Sequence, residues 1–199
     1  MCWNAKVSLD TFVFSFIIFI LAYFNGFEPK LLFLYFLFIL MQLIEFFLWK
    51  NINDKWWNHF FSLMAFILLI IHPLAFTLII SNSFIRKCFF ALYFVFLSLI
   101  LYIHVVKNKN IKYSVSVAKN GHLSWNWTKH YIFAYQIYLI FFIALLFEKE
   151  YIAFIIIFIT YLYSFINYYH EGTFTTIWCW SANIIGIFII IRVLFYKRR

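Results

Sequence analysis

Charge is scarce in this chain. Only 12% of its 199 residues are Asp, Glu, Lys or Arg, where an ordinary soluble domain carries about 25%. Hydrophobic residues make up 66%. A soluble fold needs polar side chains to cover its exterior, and too few are present to do so. That excludes a soluble globular protein. The chain reads instead as one polytopic all-α membrane domain over residues 1–199.

Other absences narrow the field. Cysteine occurs three times, at Cys2, Cys88 and Cys179, and an odd number excludes a fully paired intrachain set of disulfides. Residues 173–195 contain no lysine, so a retinal Schiff base cannot form in the last apolar run. No Thr-Val-Gly-Tyr-Gly filter occurs. A P-loop, a dinucleotide fingerprint and a zincin motif are missing too. The first apolar run lacks a small-residue cleavage site and reads as a retained span.

Aromatic residues are abundant at 26%, with 30 Phe. Part of that excess reflects compositional bias, so single Phe residues are not read as functional. A helix needs about 20 apolar residues to cross the hydrocarbon core. Seven segments qualify, at about 7–24, 30–49, 58–80, 88–106, 131–147, 151–169 and 173–195. The breaks between them are polar: "NGFEPK", "KNINDKWWN", "SNSFIRK", "EKE" at 148–150 and "HEG" at 170–172. Charges are costly in hydrocarbon and so mark the surfaces. The loop 107–130 alternates apolar and polar residues around Asn120-Gly121. That pattern fits either a small hairpin or an irregular interfacial loop anchored by Trp.

Seven spans put the termini on opposite faces. The N-terminal face is called side A and the other side B. Eight Lys or Arg fall on each: residues 6, 50, 55, 107, 109, 112, 119 and 129 on side A, and 30, 86, 87, 149, 192, 197, 198 and 199 on side B. The positive-inside count leaves orientation open. The formal net charge of +9 points to anionic lipid headgroups as partners. No motif favours nucleic acid, and oligomeric state is unspecified.

Polar, chemistry-bearing residues gather toward side A. Five of the six histidines lie there, and His72 is the deep exception. Gln42, Glu45 and Trp49 fall at i, i+3 and i+7, which is one helical face. A carboxylate in such apolar surroundings faces the bundle interior or snorkels to the surface. Trp178 and Cys179 sit in the first turns of span 7, at the level expected for Cys2. His122 lies in the long loop, and His72-Pro73 lies within span 3.

The chain opens "MCWNAKVSL", carries Gln42-x-x-Glu45-x-x-x-Trp49 and His72-Pro73, and ends its motif series with "GHLSW" and "TIWCWSA". This order resembles a family of uncharacterised bacterial seven-span membrane proteins. Its members begin Met-Cys-Phe-Ser-Ala, carry His-Gln-x-x-Glu-x-x-x-Trp in span 2, and have Ser-x-Trp-Cys at the last span. Trp3, Asn4, Met41 and Thr176 depart from that pattern, and Met41 removes a family histidine. The resemblance implies a shared core of Cys2, Gln42, Glu45, Trp49, Trp178 and Cys179, and implies no reaction.

Two functions are therefore expected to compete. One is a polar site of Cys2, Gln42, Glu45, Trp49, His72, His122, Trp178 and Cys179 for a small molecule or a metal. Cys2, Glu45 and Cys179 would be ligands for a transition metal such as zinc. The other is a transporter, channel or receptor-like bundle using Glu45 and His72. Cys2 and Cys179 are open to a disulfide, a metal or mere proximity, and whether the protein is an enzyme is undecided.

Overall fold

The computed structural model describes residues 3–107 and 111–195. Seven helices in it are long and apolar enough to cross a membrane. This is the all-α, multi-pass bundle that composition requires. Helix starts follow local chemistry. Asn4 caps α1 (Ala5–Phe24) by accepting from the Val7 N–H at 2.9 Å. Proline at the first position opens α2 (Pro29–Lys50), where its missing N–H costs nothing. Asp54 accepts from the Trp56 and Trp57 N–H groups to open α3 (Lys55–Ile79).

In span 4 the apolar run begins at about 88, and α4 (Ser83–Tyr102) starts five residues before it. Asn82 accepts from the Phe84 and Ile85 N–H groups, so the helix starts within the polar stretch. Arg86 turns back to the Ile80 carbonyl at 3.1 Å, which keeps its charge at the surface. A π-helical turn, Ile103–Lys107, ends the span.

Span 5 enters through a 3₁₀ turn at Thr128–Tyr131 and is divided into α5 (Ile132–Phe141) and α6 (Ala144–Phe147). Span 6 is α7 (Tyr151–Tyr168). Span 7 is also divided, into α8 (Phe174–Cys179) and α9 (Ser181–Phe195), with the break at Trp180.

The buried stripe of α1 is Ser8, Thr11, Ser15, Ile18 and Ala22. These positions recur at i, i+3, i+7, i+10 and i+14, the seam of a helix pair. Four of the five are small, which allows close backbone approach where no hydrophobic effect drives association. Its outer face shows Val13, Phe14, Ile17 and Leu21, a surface suited to lipid tails. The stripe packs on α2 and α9, and α2 carries much of the core, including Leu32, Tyr35, Phe38, Ile39 and Met41.

On side B, Glu148 accepts from the Ser81 backbone N–H at 2.6 Å and from its hydroxyl at 2.7 Å. Arg192 pairs with Glu150 at 2.6 Å. The "EKE" connector is thereby tied to the ends of α3 and α9.

On side A, the alternating loop forms the hairpin. Strands β1 (Val115–Val117) and β2 (Leu123–Trp125) pair antiparallel, with Val115 opposite Trp125. Gly121 takes φ +79° in the turn, a left-handed conformation that glycine adopts without strain.

Candidate functional site

Gln42 and Glu45 stand on one face of α2, and both are fully buried. The Gln42 amide donates to the backbone carbonyl of Cys179 at 2.6 Å. The break in span 7 explains this bond. In an unbroken helix the Asn183 N–H would take the Cys179 carbonyl, but it bonds the Trp180 carbonyl instead. An amide from α2 supplies the donor. Two sequence-predicted site segments thus meet through a main-chain group. Trp49 is half-buried one turn beyond Glu45.

Trp178 lies buried in a set of aromatic rings. Its neighbours are Tyr161 at 5.2 Å, Phe38 at 5.3 Å, Phe142 at 5.9 Å and Tyr138 at 6.0 Å between centroids. Phe38 also stacks on His72, 4.8 Å away at 25°. His72 therefore communicates with Trp178 through a ring and makes no direct polar contact with it. The Leu37 carbonyl lies beside the imidazole without reaching ordinary hydrogen-bond geometry, and among the described residues the Trp178 Nε1 and Tyr138 hydroxyl also find no hydrogen-bond partner. Such groups cost about 1–3 kcal/mol each when buried, and a concentration of them marks a place that packing alone does not explain.

The hairpin docks on α3 and α8. Asn58 in α3 behaves like a strand neighbour to β1. Its amide donates to the Val115 carbonyl at 2.9 Å, and its carbonyl accepts from the Val115 N–H at 2.8 Å. On the other edge, the Trp125 N–H bonds the Gly172 carbonyl at 2.9 Å. The Trp125 indole donates to the Thr176 hydroxyl at 2.7 Å, and that hydroxyl donates to the Leu123 carbonyl at 3.1 Å. These bonds fasten the hairpin onto α8. Gly172 takes φ +73°, and a Cβ there would lie 2.8 Å from the Ser124 hydroxyl.

Side-A histidines divide by role. His59 meets the Tyr113 carbonyl at 2.9 Å, and His104 meets the Tyr113 hydroxyl at 3.2 Å. Both hold the loop. His122 sits at the hairpin turn, edge-on to Trp3 at 6.5 Å. Burial lowers its pKa, and the charge of Glu171 opposes the shift. Cys2 lies outside the described residues. Among the described residues no three His, Cys, Asp or Glu side chains come together in a metal-holding arrangement.

Asn58 and Thr176 are functional in the architecture, and sequence reasoning missed both roles. Asn58 follows Asp54 by four residues and precedes Ser62 by four. That polar stripe in an apolar helix was the available signal.

No family model, no curated protein and no solved structure matched the chain.

Proposed function

We propose that this chain is a membrane-embedded binding protein whose side-A core takes a small polar ligand, and that a transition-metal ion of the zinc class is the ligand its donors suit. The observation that carries this reading is the complete burial of Glu45 on one helical face with Gln42, whose amide holds the Cys179 backbone where span 7 breaks. An ionisable group inside a membrane bundle is expensive and is a functional-site hypothesis by default. Carboxylate and thiolate are both donors that zinc accepts. Cys2 would add a second thiolate. The resemblance to the seven-span family points to the same residues. The hairpin supports the reading by fastening onto α8, the helix that carries Cys179.

A conduit through Glu45 and His72 is the competing reading. Packing argues against it, because Phe38 stacks on His72 and meets Phe76, which meets Phe142 at 5.3 Å. Aromatic carbon fills the level such a path would cross. At the membrane surface, we assign the terminal Lys197, Arg198 and Arg199 to anionic headgroups; they lie outside the described residues.

The test is elemental analysis of the purified chain, with zinc titration followed by thermal unfolding. Wild type is expected to retain about one zinc per chain, and Glu45→Gln and Cys179→Ser to lose it. Absence of both stoichiometric metal and a zinc-dependent shift in wild type would overturn the metal assignment. Equal zinc retention in both variants would do the same.

A further inference from the structure

The side-B end of the bundle holds an arrangement that shares Phe38 with the side-A ring set and is otherwise separate from it. A narrow apolar slot runs between α2, α7 and α9, lined by Leu34, Phe38, Ala153, Ile157, Ile185 and Ile189. At its outer end stand Glu150 and Arg192, joined at 2.6 Å. The same two residues also line a polar hollow of about 250 Å³ with Glu28, Lys30, Ser81 and Glu148. Slot and hollow share Leu31, Glu150 and Arg192 in their walls, so the one is greasy inside and the other charged beside its mouth. From Arg192 to Ile185 is seven residues, a depth of ~10 Å at the helical rise of about 1.5 Å per residue. The Arg192 guanidinium is held at the mouth by its pair with Glu150 and by the Phe27 ring, 5.1 Å beneath it.

We propose that this is a phospholipid site, taking one acyl chain in the slot and a zwitterionic headgroup in the hollow. Its level in the bundle is that of the headgroup boundary, because every mouth residue belongs to a side-B helix end or connector. The charge pattern selects the headgroup. Three carboxylates, Glu28, Glu148 and Glu150, face two cations, Lys30 and Arg192. A purely anionic headgroup would leave the excess carboxylate without a counter-charge. A phosphate bearing an ammonium answers both signs: Lys30, which makes no ion pair among the described residues, faces the phosphate, and Glu28 faces the ammonium. A free phosphate ester would leave the slot unused.

Native mass spectrometry of the full chain in detergent, with added phosphatidylethanolamine or phosphatidylglycerol, tests the proposal. One phosphatidylethanolamine should be retained per chain, at least tenfold more strongly than phosphatidylglycerol. Ala153→Phe fills the slot without touching the ion pair and should reduce retention at least tenfold. Equal retention by a folded Ala153→Phe variant would overturn the slot. Preference for phosphatidylglycerol would overturn the headgroup assignment. Should Ala153→Phe fail to fold, wild type decides the matter with a phosphatidylethanolamine carrying a photoreactive acyl chain. Crosslinks on peptides containing Ile157 or Ile185 support the site, and crosslinks confined to outward residues such as Phe14 overturn it.

Discussion

Toward side A, the elements are joined by hydrogen bonds that reach far along the chain. Gln42 bonds Cys179, Asn58 bonds Val115 and Trp125 bonds Thr176. Toward side B, the interior is joined by apolar packing, and polar contacts stay at the rim, where Glu148 holds Ser81 and Arg192 holds Glu150. The difference follows from what each half must do. Helices in lipid gain little from hydrophobicity when they associate, so tight packing of small and complementary surfaces holds them together. A broken span and a docked hairpin expose backbone groups, and these must find partners within the protein.

The contrast can be broken most severely on the side-B half. A Cβ on Gly186 would lie 2.6 Å from the Tyr35 hydroxyl and 3.0 Å from Ile18 Cδ1. Gly186→Val is expected to cost about 3 kcal/mol, the upper part of the usual overpacking range, read as a lowered thermal midpoint. In the milder Gly186→Ala chain, Tyr35→Phe should restore most of the lost stability, because it removes the nearest clashing atom. No recovery would mean that the clash is not the cause.

A smaller effect sharpens the side-A half. Gln42→Leu keeps the volume apolar but removes the donor to the Cys179 carbonyl. The expected loss is about 1–2 kcal/mol, since a buried acceptor is left without its partner. Hydrogen exchange should quicken around Trp180 and Ser181 while the α1–α2 seam stays protected. Uniform acceleration would show that Gln42 supports the whole bundle and not the break.

The smallest effect is that of pH on the hairpin. Burial lowers the His122 pKa below its ordinary 6.5, so the folded state favours the neutral ring. Its contribution is complete above about pH 6.5 and is lost as pH falls through the window below that value. Protection of the turn amides near Gly121, corrected for the intrinsic pH dependence of exchange, should fall over that window in wild type and stay level in His122→Asn.

Much of the architecture was legible in the sequence. Apolar runs of sufficient length, separated by charge, specify spans whatever packs against them. Asn120-Gly121 within alternating residues allowed a hairpin or an irregular loop, and strand pairing decided for the hairpin. Spacing alone put Gln42 and Glu45 on one helical face, and packing decided that Glu45 turns inward. Less legible was the start of α4, because Asn82 caps a helix inside a stretch that reads as a break. The break at Trp180 was not legible either: "TTIWCWSANIIG" carries no proline, and its one glycine lies in α9, away from the break.

By itself, then, the sequence determined that this chain is a multi-pass membrane protein and how many times it can cross. These follow from composition and from distances along a helix, which are local quantities. Only the tertiary structure decided that Gln42 serves a backbone carbonyl, that Asn58 and Gly172 seat the hairpin, and that Gly186 lies under the Tyr35 hydroxyl. Each depends on two segments far apart in the chain coming within a few ångströms, and no local pattern encodes that meeting.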